Sequence, residues 1–215
     1  MSDVPVHPPL SILERRVLGV LIEKHKTSKS PDAYPMTLNA LTTGCNQKSN
    51  RDPVLDLDED QVEATLMDLS KRLLTQKIVG GRAERWKHDC YNQWKASGTG
   101  MAVLAELLLR GPQTEGELRG RASRMNDIPD LDALREHLKD LCEKGLAKYL
   151  TSSGRGAMVT HGFHGPDEAM PAASAAEPIA STRTAAGDVE SRFADLQAQL
   201  DDVKARLAKL EGTAT

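Results

Sequence analysis

Aromatic side chains are scarce: two Trp, three Tyr and two Phe make up 3% of the 215 residues. Any core must therefore be aliphatic, built from Leu, Val, Ile and Ala. Cysteine is scarcer still, with Cys45, Cys90 and Cys142 far apart and no CxxC pair. An odd, dispersed set argues against a disulfide framework and a zinc site, and suits a reducing cytoplasm. No apolar run approaches the roughly 18–20 residues of a membrane span. Met1 to Pro9 carries three prolines and no basic n-region, so no signal peptide is expected. A strong charge of one sign is missing too. The net charge is −3, and residues 10–95 carry 14 Lys and Arg against 12 Asp and Glu. Residues 97–163 balance at nine against nine, and residues 164–215 hold five against nine. A protein that grips DNA through phosphates usually shows a basic domain or stripe, and none stands out. There is also no Gly-x-Ser-x-Gly, P-loop or GxGxxG pattern, so neither an enzyme nor a bound cofactor is expected.

What is present is periodicity. Ser11 to Glu14 reads as a capping box opening a helix with Leu13, Val17, Val20 and Leu21 inward, ending near Lys26. Thr37 opens a short helix that buries Leu38 and Leu41 and stops near Gly44. A third helix starts near Asp58, with Val62, Leu66, Leu69 and Leu73 on one face. Lys77 to Val79, Gly80-Gly81 and Glu84 to Tyr91 read as strand, turn, strand. The second half repeats the order: a helix over Met101 to Leu109, a short one capped by Thr114 and Glu117, and a longer one carrying Leu131, Leu134, Leu138 and Leu141. A hairpin of Ala147 to Leu150 and Ala157 to Thr160 closes it.

Two alignments support an internal repeat. Pro35-Met36-Thr37 with Leu41 matches Pro112-Gln113-Thr114 with Leu118, at an offset of 77 residues. Leu66-Met67-Asp68-Leu69 matches Leu138-Lys139-Asp140-Leu141, at an offset of 72. The expected fold is mainly α with small β-wings: two tandem winged-helix domains, 10–95 and 96–163, after a disordered N-terminus at 1–9. Residues 164–187, rich in Ala, Pro and Ser, read as a linker. Residues 188–211 read as a coiled-coil helix, with Val189, Phe193, Leu196, Leu200, Val203, Leu207 and Leu210 stepping by four and three. That seam predicts a homodimer.

Several stretches resemble the YceH-like family of uncharacterised bacterial proteins: residues 14–24, 34–41, 45–53 and 106–114, of which Asn46 to Pro53 is the most specific. The resemblance implies a bacterial cytosolic protein with tandem winged helices, and no reaction.

The polar segment between the second and third helices offers Asn46, Gln47, Lys48, Asn50 and Arg51 to phosphates or to a partner's backbone. An equally weighted reading has these side chains bonding their own loop. The first hairpin adds Arg82, Arg85 and Lys87, and the second Arg155. Trp86 is expected in the core. His161 and His164 are expected to be solvated rather than metal-binding. The third helices begin with Asp58, Glu59, Asp60 and Glu63, and with Asp127, Asp130, Asp132 and Glu136. These suit a helix N-terminus through its dipole but suit a phosphate groove poorly, at a cost of about 1–3 kcal/mol per repulsion near 6 Å. The leading expectation is a cytoplasmic dimeric regulator associated with nucleic acid. The alternative is a protein-interaction scaffold using acidic tandem winged helices. DNA and protein partners thus both stand as expectations, and a membrane does not.

Overall fold

The first half of the chain consists of helices α1 (Ile12–Thr27), α2 (Leu38–Cys45) and α3 (Glu59–Lys71), strands β1 (Thr75–Ile78) and β2 (Arg85–His88), and the short helix α4 (Cys90–Trp94). The second half has α5 (Gly98–Arg110), β3 (Gln113–Thr114), α6 (Glu115–Ala122), α7 (Leu131–Glu143), β4 (Ala147–Tyr149) and β5 (Met158–His161). The structure is a computed structural model and describes residues 6–81, 83–151, 156–165 and 168. Arg82, Arg155, most of the 164–187 segment and the expected 188–211 seam lie outside the described residues. The described protein is mainly helical with two small antiparallel sheets, and no described helix is long and apolar enough to cross a membrane.

Local sequence explains the helix starts. Ser11 with Glu14, Asp58 with Gln61 and Thr114 with Glu117 form reciprocal capping boxes. Each satisfies backbone donors that would otherwise lack partners, typically for about 1 kcal/mol.

The internal repeat is geometric as well as sequential. Met36 bridges β2 at Trp86, just as Gln113 pairs with Val159 of β5. Helix α3 ends with Leu73 at φ +58 and the Leu74 N–H donating to the Leu69 carbonyl; α7 ends with Gly145 at φ +69 and the Leu146 N–H donating to the Leu141 carbonyl. Thr75 then faces His88 across the first hairpin, and Ala147 faces His161 across the second. Trp86 is buried, as expected.

The two halves share one core. Helix α1 packs more extensively on α5 than on any other element. The pair runs antiparallel: Gly19 faces Ala105 and Leu109, while Lys26 lies near Gly98. A Cβ on Gly19 would fall 2.7 Å from Leu109 Cγ, so glycine is what allows this approach. Val17, Leu18, Leu21 and Ile22 join Leu104 and Leu107 in a continuous apolar interior.

Leu73, expected on the inward face of the third helix, is exposed instead, because the helix ends at Lys71 and the chain turns with Leu73 at φ +58. Further local expectations change. The strand expected to reach Tyr91 stops at His88, and residues 90–94 turn into α4, too short a helix to show a period. β3 was not anticipated, because two residues carry no alternation. Of the tail expected to be disordered, residues 6–9 are placed: the His7 imidazole donates to the Lys144 carbonyl at 2.8 Å, and Arg72 donates to the carbonyls of Pro8 and Pro9.

Candidate functional site

The most specific segment of the sequence, residues 46–53, closes over the α1–α5 pair. Its side chains work mainly inward. Asn46 accepts from the Leu57 N–H (2.8 Å) and donates to the Leu57 carbonyl (2.7 Å), clamping the loop ahead of α3. Asn50 takes the left-handed conformation at φ +58, which Asn tolerates, and its Oδ1 accepts from Arg110 at 2.9 Å. Gln47 Oε1 accepts from Arg51 at 3.0 Å.

Arg51 is the centre of this loop. It is 4% exposed and grips Glu23 of α1 with Nη2 at 2.5 Å from Oε2, while its Nε donates to the Gly44 carbonyl. Arg124, just past α6, bonds the other Glu23 oxygen and reaches Glu106 of α5 at 3.0 Å. Arg110 Nε stands 3.1 Å from the other Glu106 oxygen, as an ion pair off hydrogen-bond alignment. Three guanidiniums thus surround two buried carboxylates, and the network draws on both halves. Burial pushes the Glu23 carboxyl up, but the hydrogen bond and charge of Arg51, with help from Arg124, outweigh it and hold it below the ordinary value. Arg16, buried beside this loop, donates to the carbonyls of Cys45 and Pro53; burial and then Arg51 lower its pKa.

The expected contact residues therefore divide. Arg51 faces the interior, because the buried Glu23 carboxylate holds it there, and Asn46, Gln47 and Asn50 are engaged within the chain. Lys48 is exposed. Arg85 is turned back, donating to the carbonyls of Asp32 (2.6 Å) and Pro35 (2.7 Å). Lys87 is half-buried on β2. Arg82 and Arg155 lie outside the described residues, so no continuous stripe can be traced through them. On α3 the solvent face carries Glu59, Asp60, Gln61, Ala64, Met67, Asp68 and Lys71, the last paired with Asp68.

Sequence reasoning missed the histidines. His88 and His161 are both buried, and each has the backbone N–H two residues ahead close to Nδ1, at 3.3 Å and 3.2 Å. His88 Nε2 lies 2.9 Å from His25 Nδ1, and Tyr34 stacks on His25 with centroids 4.7 Å apart. Burial, then His25, lowers the His88 pKa to about 3; burial, then His164, lowers that of His161 to about 2. The expectation that His161 and His164 are solvated is corrected: His164 stacks on His161, and both are enclosed by α1 and the start of the following segment. Hairpin register would have been the signal, since both histidines stand opposite the first residue of the preceding strand. Among the described residues, no three His, Cys, Asp or Glu side chains group to hold a metal ion. Burial raises the pKa of Cys45 to about 12 and moves that of Cys90 upward, so neither thiol is activated.

Residues 10–155 match the model of a family described as a protein of unknown function, DUF480. The chain is similar to a UPF0502 protein of Rhodopirellula baltica, 47% identical over 163 residues, covering 75% of this chain and 68% of that one. A UPF0502 protein of Pseudomonas aeruginosa is 43% identical over 154 residues, covering 70% and 69%. One of Hahella chejuensis is 39% identical over 213 residues, covering 94% and 96%.

Proposed function

The chain belongs to the DUF480 family, and from that premise we propose that it is a non-enzymatic, cytoplasmic tandem winged-helix protein that serves as a protein-interaction scaffold. The repeated order of three helices and a hairpin supports the winged-helix reading. The observation that carries the scaffold reading is where the cations go. Arg51, Arg85, Arg110 and Arg124 are bound to groups of the chain itself. Meanwhile the outward face of α3, the element that enters the major groove in helix-turn-helix proteins, carries Glu59, Asp60 and Asp68, the cation Lys71 paired with Asp68, and an exposed Met67. An exposed apolar side chain on a face where Glu59, Asp60 and Asp68 outnumber Lys71 suits a partner with basic and apolar groups better than a phosphate backbone.

A pull-down with the full chain as bait, with and without nuclease, tests this. Protein partners that survive nuclease and are lost with Met67→Asp are expected. Capture that vanishes entirely on nuclease treatment would overturn the reading.

One feature favours a second reading, a nucleic-acid-associated regulator: Lys48 is exposed at the α2–α3 turn, where a helix-turn-helix protein meets its duplex. In either role the 188–211 seam would pair two chains in parallel, presenting two copies of each surface.

A further inference from the structure

At the end of β5, His161 and His164 stack with ring centroids 4.0 Å apart and 16° between planes. Arg15, at the start of α1, donates from Nη1 to His161 Nε2 at 2.9 Å, since a guanidinium can only donate. Its Nη2 donates to Glu168 Oε1 at 2.8 Å. The other Glu168 oxygen accepts from the Gly165 N–H at 3.3 Å and lies 3.3 Å from His164 Nδ1. Thr160 Oγ1 stands 3.0 Å from His164 Nε2. With that hydroxyl as donor, the His164 ring proton is assigned to Nδ1, which stands beside Glu168 off hydrogen-bond alignment and is left without a hydrogen-bond partner among the described residues.

The result is a receptor for a carboxylate. Its donors are Arg15 of helix α1 and the Gly165 backbone amide, with the unpartnered Nδ1 of His164 beside them, and its two imidazoles are buried. It opens on a cleft of 240 Å³ that Asp52, Leu108 and Arg110 also line, larger than the Glu168 carboxylate needs. Glu168 reaches it from well after β5, and its side chain remains about a third exposed. A group held this way can leave while Arg15, His161 and His164 stay fixed by the core.

We propose that this cleft is a binding site for a small carboxylic acid, and that Glu168 is its resident in the free protein, displaced when the acid binds. The inference goes beyond the scaffold reading and does not depend on it. An internal carboxylate competes with an added one, so removing it should tighten binding. A partly exposed pair of this kind implies a gain of roughly two- to fivefold.

Isothermal titration of the full chain with succinate, and separately with inorganic phosphate, at ionic strength matched with chloride, tests this. Saturable succinate binding is expected at or below about 10 mM, the scale of a tethered competitor. Glu168→Gln should tighten it roughly two- to fivefold, and Arg15→Gln should abolish it. Should Arg15→Gln fail to fold, the comparison of Glu168→Gln with the parent decides alone. Absence of saturation in both, or equal affinity in both, would overturn the proposal. Phosphate binding as tightly as succinate would overturn the assignment to a carboxylic acid.

Discussion

His88 and His161 occupy the same point of two hairpins, and each reaches helix α1, the first at His25 and the second at Arg15. One helix is thereby held near both ends by equivalent strand positions of the two halves. Because burial lowers both pKa values, to about 3 and about 2, the folded state favours the neutral rings. The sign follows. Their contribution is fully present above the unfolded value near 6.5 and is lost as pH falls below it. Stability should drop between pH 6.5 and 5, with at most about 1.4 kcal/mol per pH unit from each ring. Urea midpoints at pH 7, 6 and 5 check this, and His88→Gln should flatten the slope. The depressed carboxyl of Glu23 also loses stability as pH falls, but only below its ordinary value near 4.5, outside that window.

Arg51→Ala leaves Glu23 buried with only Arg124, itself partly exposed, beside it. Removing one partner of a buried pair typically costs about 3–5 kcal/mol. Chemical denaturation should show a loss of at least about 3 kcal/mol. A loss within 1 kcal/mol would place Arg51 outside the interior.

Leu73 is 64% exposed and adopts φ +58, where its counterpart is Gly145. A side chain with a Cβ is strained there, and little packing offsets the strain. Leu73→Gly should raise stability by about 0.5–1 kcal/mol, read as a higher melting temperature. Gly145→Ala should lower it by a similar amount.

Much of the fold was legible because helix boundaries are written locally. Ser11, Asp58 and Thr114 cap where the sequence placed the helix starts, and Leu66, Leu69, Leu134, Leu138 and Leu141 face the core they were assigned, whereas Leu73 and Leu131, assigned to the same faces, are exposed. The 77-residue offset between Met36 and Gln113 reappears as two equivalent β contacts. What stayed hidden depends on contacts distant in sequence. Nothing local marks Arg51 as the partner of Glu23, 28 residues away, or Arg124 as a third member 101 residues from Glu23. A polar loop that seals a buried carboxylate reads the same as one that binds phosphate. The histidine pairing was hidden for the same reason, with 63 residues between His25 and His88.

The 188–211 seam predicts that the full chain is a dimer and that a chain truncated at Gly165 is a monomer. Leu200→Asp should dissociate the full chain, since burying one Leu contributes roughly 1.5–3 kcal/mol and a buried carboxylate reverses that gain. Light scattering at high micromolar concentration reads all three. A dimeric truncated chain would place the main interface elsewhere.

Among the described residues, Arg51, Arg85, Arg110 and Arg124 bind groups of the chain itself, and α3 presents a mainly acidic, partly apolar face outward. Titrating the full chain with a labelled mixed-sequence duplex at low salt tests this most directly. The expected result is binding no tighter than about 10 µM, within the range of weak non-specific contact. Nanomolar binding that falls steeply with salt and weakens in Lys48→Ala would contradict it, and would return the α2–α3 loop to a nucleic-acid interface.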